Sequence, residues 1–95
     1  MPIKLTSKQR AELRGRANSL PSIISVGKAG VTPELVAMVD EALTARELIK
    51  ISIQENCDTP AADTARMVSE RTRSEVVQQI GRKIVLYRKN HKLEK

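Results

Sequence analysis

The sequence predicts a small single-domain α/β fold with a four-stranded mixed sheet packed with helices, and three observations predict it. Helical and strand periodicities alternate along the chain. Two helix starts carry the same Thr-Pro signature, and two strand patterns near the end are separated by Gly81-Arg82 alone. A length of 95 residues is one domain's worth of chain, enough to bury about two thirds of its unfolded surface around a single core. The expected boundaries are one domain over 1–95, with a core of about 5–89 and a polar, basic tail over 90–95.

The elements follow in the order helix, strand, helix, strand, helix, strand, strand. Thr6-Ser7-Lys8-Gln9 has the form of a capping box with Leu5 placed to staple it, so a first helix is predicted from Ser7 to about Ala17. Arg10 and Arg14, four residues apart, share one of its faces. Ile23, Ile24 and Val26 form a short apolar run bounded by Pro21 and Gly27, the pattern of a largely buried strand. After the loop Gly27-Lys28-Ala29-Gly30, Thr32 supplies an N-cap oxygen and Pro33 suits the first helical position. Leu35, Val39, Ala42 and Leu43 then recur at helical spacing, which turns Asp40, Glu41 and Glu47 toward solvent. Ile49, Ile51 and Ile53 alternate with Lys50, Ser52 and Gln54, the period of a strand with one buried and one polar face. Thr59-Pro60 repeats the cap-and-proline signal and opens a helix through about Thr72, with Ala61, Ala65 and Val68 inward. Glu75 to Ile80 and Lys83 to Arg88 complete the chain as a hairpin with a glycine-first turn. Strands separated by helices favour parallel neighbours through right-handed crossovers, whereas the closing hairpin is antiparallel, hence a mixed sheet.

Charge is unevenly spread within a net +6. Residues 1–32 hold six basic side chains against one acid; residues 33–63 hold two against seven; residues 64–95 hold nine against three. Folding this layout gives a basic side built from both termini and an acidic side built from the middle, and a polyanion is the natural partner of the first. Lone Cys57 has no partner for an internal disulfide, and no Cys/His spacing suits zinc, so a reducing compartment, the cytoplasm, is expected. The opening MPIKLTSKQR lacks a signal-peptide pattern, and no apolar run approaches the roughly 18 residues that span a bilayer.

Catalysis finds little support. His91 is the only histidine and lies in the tail, Cys57 has no histidine near it in sequence, and the carboxylates Asp40 and Glu41 fall on an exposed helix face. GKAG is not a nucleotide-hydrolysing phosphate loop, which needs GxxxxGK followed by Ser or Thr. It makes better sense as a grip on backbone phosphate: two glycines permit close approach, Lys28 adds a cation at the tip, and the helix opening at Thr32 directs its positive end there. A strand-to-helix corner is the plain alternative, and Glu34 in the first turn competes for the same dipole. The sheet offers a second surface. In the last strand Lys83, Val85, Tyr87 and Lys89 share a face, so Tyr87 either stacks a base between cations or packs under the first helix with its hydroxyl wet; a single aromatic weighs toward packing.

With those residues in place, LTSKQRAELRGRANSLPSIISVGKAGVTPELVAMVDEALTARELIKI followed by IGRKIVLYR resembles the bacterial YhbY proteins, the stand-alone form of the CRM (chloroplast RNA splicing and ribosome maturation) domain. GKAG leading into VT, then ARELIK, then GRKIVLYR carry the likeness from Leu5 to Arg88. The resemblance implies a fold similar to the C-terminal domain of translation initiation factor three. It also implies RNA binding and association with precursors of the large ribosomal subunit. The family's GxxG loop, compared with that of KH domains, maps onto Gly27, Lys28, Ala29 and Gly30. One departure stands out: relatives often carry a glycine after the third helix, where this chain has Arg71-Thr72-Arg73-Ser74.

The expectation is thus a monomeric, non-catalytic RNA-binding protein on large-subunit rRNA precursor or pre-ribosomal particles, needing no cofactor, no metal and no membrane. Gly27, Lys28, Ala29 and Gly30 form its centre, with Arg10, Arg14, Arg82, Lys83, Tyr87 and Arg88 widening the surface. Two rivals remain: a protein-interaction module using the acidic second helix against a basic ribosomal protein, and a small RNA hydrolase.

Overall fold

Periodicity and caps place the chain's elements where the sequence puts them. In the computed structural model, which describes residues 6–57 and 59–89, the order is α1 (Ser7–Ala17), β1 (Ile24–Val26), α2 (Pro33–Arg46), β2 (Leu48–Ile53), α3 (Ala61–Thr72), β3 (Glu75–Ile80) and β4 (Lys83–Tyr87). Leu5, expected as a staple, and the tail with His91 lie outside the described residues. The capping box at α1 forms in both directions, Gln9 N donating to Thr6 Oγ1 and Thr6 N to Gln9 Oε1. Thr32 caps α2 as expected, its Oγ1 accepting from Leu35 N at 3.1 Å, with Pro33 in the first turn.

Thr59 is a correction. Pro60 itself takes the N-cap position of α3, and among the described residues no side chain closes that end. The helix starts one residue later, relative to its proline, than α2 does, which leaves the Thr59 hydroxyl too far upstream to reach the free amides. That hydroxyl instead lies 3.5 Å from where a side chain on Gly30 would begin.

The strand order is β1-β2-β4-β3. β1 runs parallel to β2, and β4 inserts antiparallel between β2 and β3, so the α3 crossover skips the place that the hairpin then fills. Pairing runs slightly past the strand ends, since Ile23 N donates to Lys50 O and Arg88 N to Glu47 O. At the hairpin Gly81 has φ +56, as a glycine-first turn requires. In β3 a bulge between Val76 and Gln78 disrupts the register and leaves Val77 unpaired.

Helices cover both faces. Beneath α2 and α3 lies the larger core, with Val26, Val39, Leu43, Ile51, Val68, Ile84 and Leu86 fully buried. On the opposite face α1 sets Leu13 and Ala17 against Leu48, Val77 and Val85, with Leu20 and Tyr87 at the margin. The alternating apolar and polar positions of β2 therefore do not divide simply into core and solvent, because Leu48 on the second face is buried under α1.

Candidate nucleic-acid interface

Gly30 N donates to Gly27 O at 2.9 Å, closing a four-residue turn at the C-terminal end of β1 with Lys28 and Ala29 exposed at its tip. The two glycines do different jobs. Gly30 has φ +70, a conformation that side-chain-bearing residues adopt only with strain. Gly27 lacks a positive φ, and a Cβ there would meet only Gln54 Oε1 at 3.5 Å, an ordinary contact. The backbone does not demand glycine at 27, so its bareness is surplus to folding.

The other expected site residues divide by the sheet's register. Directly opposed residues on neighbouring strands share a face, and Ser25, Ser52, Lys83 and Ile80 oppose one another in turn across β1, β2, β4 and β3. Lys83 thus joins the row just below Gly27, its Nζ donating to Ser22 Oγ at 3.2 Å. Arg82 reaches the same end from the hairpin, where Ile53 N donates to Arg82 O, and its guanidinium pairs at 3.5 Å with exposed Glu55. That pair is wet and contributes little to stability.

Three expected contacts are placed otherwise. Arg88 leaves β4 at the opposite end from Lys83, about 17 Å along the strand. Its side chain is only 21% exposed, and the guanidinium donates to Asp40 Oδ1 (2.5 Å), Asp40 O (3.0 Å), Thr44 Oγ1 (2.8 Å) and Thr72 O (2.8 Å), stitching β4 to α2 and α3. Tyr87 is half-buried against the α1 cluster, the packing alternative for that ring. Arg10 donates to Val76 O on edge strand β3 and so holds α1 down, while Arg14 is exposed on the same helix. Ser25, Ser52 and Ile80 are not singled out by the sequence: Ser52 alone had a signal, in the polar half of the β2 alternation, and register across four strands was needed to align the three.

These features define a class: a small α/β domain with helices on both sheet faces and a lysine-tipped GxxG turn leading out of its parallel edge strand. The CRS1 / YhbY (CRM) domain family matches residues 5–88 of the chain. Probable RNA-binding protein YqeI of Bacillus subtilis is 44% identical over 86 residues, covering 90% of each chain, and an RNA-binding protein of Haemophilus influenzae is 31% identical over 84 residues, covering 88% of this chain and 85% of its own. The solution structure of the hypothetical protein SAV1595 from Staphylococcus aureus superposes with a TM-score of 0.79 at 39% identity, over 92% of this chain and 91% of that one. The chain belongs to the CRM domain family, and its fold is the family's.

Proposed function

We propose that this chain is a non-catalytic RNA-binding protein that acts in the cytoplasm, as a monomer, in assembly of the large ribosomal subunit on its rRNA precursor. The turn at 27–30 carries the reading. An exposed lysine sits between a glycine the backbone needs and one it does not, and a bare backbone beside a cation suits close approach by a phosphate. Relatives named as RNA-binding proteins support the ligand class, while the choice of ribosomal RNA and the absence of catalysis rest on the family resemblance. Such backbone contacts position RNA without reading its sequence, so specificity would come from rRNA shape.

Crosslinking in the native cell, followed by sequencing of the attached RNA, tests the assignment: reads concentrate on large-subunit rRNA and its unprocessed precursor. Scattered reads overturn the assembly role. In vitro, Lys28→Glu is expected to weaken RNA binding severalfold and to flatten the dependence of log affinity on log salt by about 0.7 for a single-stranded site. An unchanged affinity and slope would remove the turn from the interface. Labelled rRNA incubated with the protein, with and without magnesium, is expected to stay intact.

A second reading has one specific observation behind it. Ile23 (38% exposed) and Met38 (52% exposed) border a shallow apolar hollow with Ala42, Ala45 and Glu41, which suits a basic segment of a ribosomal protein. Association with such a protein that survives nuclease and is lost in Met38→Glu would favour it.

A further inference from the structure

Among the described residues, only half of the sheet face beneath α1 is covered. Leu48, Val77, Val85 and Tyr87 lie under the helix, whereas the end nearest the 27–30 turn remains open: Ser25, Lys83 and Ile80 are exposed and Ser52 is half-buried. These four form one row, and three inter-strand gaps give it a length of about 14 Å. Gly27 and Gln54 continue the same face two residues further along β1 and β2, with Lys28 beyond them.

The chemistry of the row is mixed in an informative way. It carries the Lys83 ammonium, two serine hydroxyls 3.3 Å apart, and no carboxylate; the nearby Glu55 is paired with Arg82. At its far end Ile80 is 63% exposed, more than any other large apolar side chain among the described residues. A single exposed isoleucine on a protein surface is unremarkable by itself. Here it closes a strip that carries Lys83 and starts at the lysine-tipped turn.

Duplex RNA presents phosphates and 2′-hydroxyls to a protein surface and keeps its base faces stacked inside. Such a ligand would use Lys28 and Lys83 but would leave Ile80 against water. An unpaired nucleotide offers both a phosphate and an apolar base face. We infer that the open half of this sheet face binds unpaired nucleotides, with backbone phosphate at the 27–30 turn and Lys83, sugar or base edges on Ser25 and Ser52, and a base lying on Ile80. The inference rests on the RNA-binding reading and narrows it to single-stranded segments.

The test compares a short mixed-sequence RNA oligonucleotide with a duplex of equal length, using wild type, Ile80→Ala and Lys28→Glu, each checked for unchanged thermal unfolding. Ile80→Ala is expected to weaken the single strand about fivefold, the effect of removing a modest apolar contact, and to leave the duplex unchanged; Lys28→Glu weakens both. Shifts in the NMR spectrum on titrating the single strand should then include the Ile80 methyls and the Ser25 and Ser52 amides. If Lys28→Glu weakens binding while Ile80→Ala does not and shifts stay within 27–30, the platform is wrong and the RNA-binding reading stands. If wild type binds neither probe at low salt, both are wrong. Ile80 shifts produced by a ribosomal protein and by neither RNA would reassign the strip to protein docking.

Discussion

Gly27 and Gly30 look interchangeable in the sequence and are not in the structure, so substituting each separates folding from binding. Gly30→Ala forces a Cβ into a left-handed conformation and is expected to cost about 1–2 kcal/mol of stability. Gly27→Ala meets only ordinary contact with Gln54 and should unfold within about 0.5 kcal/mol of wild type, yet bind RNA more weakly because the added methyl stands where phosphate approaches. Urea unfolding and RNA titration on the same preparations read both. A drop in stability at Gly27→Ala equal to that at Gly30→Ala would show that both glycines serve the turn alone. Arg73 is the inverse case: it follows α3 and adopts φ 57 and ψ 40, the left-handed conformation that favours glycine. Arg73→Gly relieves that strain but loosens the unfolded chain, leaving an expected net gain of about 0.5 kcal/mol. A loss of stability would mean that the arginine side chain does more at this cap than its strain costs.

At the level of elements, Arg88 shows how a basic residue that reads as interface becomes a fastener. Its fork ties the end of β4 to the α2 backbone and side chains and to the last carbonyl of α3, a geometry that only a planar guanidinium supplies. Arg88→Met should lower stability by about 1 kcal/mol, chiefly through the part-buried Thr72 carbonyl left unpaired, since water reaches the Asp40 carboxylate, and Arg88→Lys, which keeps the charge, should recover little of it. Full rescue by lysine would mean that charge, not geometry, is what this position contributes. The elements themselves were legible because each is written locally: the Thr6 capping box, Thr32-Pro33, the isoleucine alternation of β2 and Gly81 at the hairpin all set backbone conformation within a few residues. What escaped was non-local. The insertion of β4 between β2 and β3, the bulge that leaves Val77 unpaired, and the halfway reach of α1 across its face depend on packing between distant segments. For that reason alone Tyr87 packs against the α1 cluster, Arg88 fastens β4 to α2 and α3, and Ile80 stands exposed.

On the scale of the whole molecule the sheet separates charge. α1 carries four basic side chains and one acid on the side of the open row, which adds Lys83; α2, across the sheet, carries three acids and one base. The short dimensions of the molecule are 23 and 22 Å, against a Debye length of about 8 Å at physiological salt and about 30 Å at 0.01 M. RNA docked on the α1 side therefore does not sense α2 in 0.15 M salt, but does at low salt. Arg14→Glu is expected to reduce affinity severalfold at both ionic strengths, because an exposed charge on the α1 side is the one that RNA docked there would meet. Glu41→Lys should change affinity by less than about twofold at 0.15 M and strengthen binding clearly at 0.01 M, where its field reaches through the domain. Fluorescence anisotropy with one labelled single strand at the two salt concentrations reads all four values. If Glu41→Lys exceeds Arg14→Glu in effect at 0.15 M, the RNA lies against α2, and neither the turn's lysine nor the open row can be its main seat.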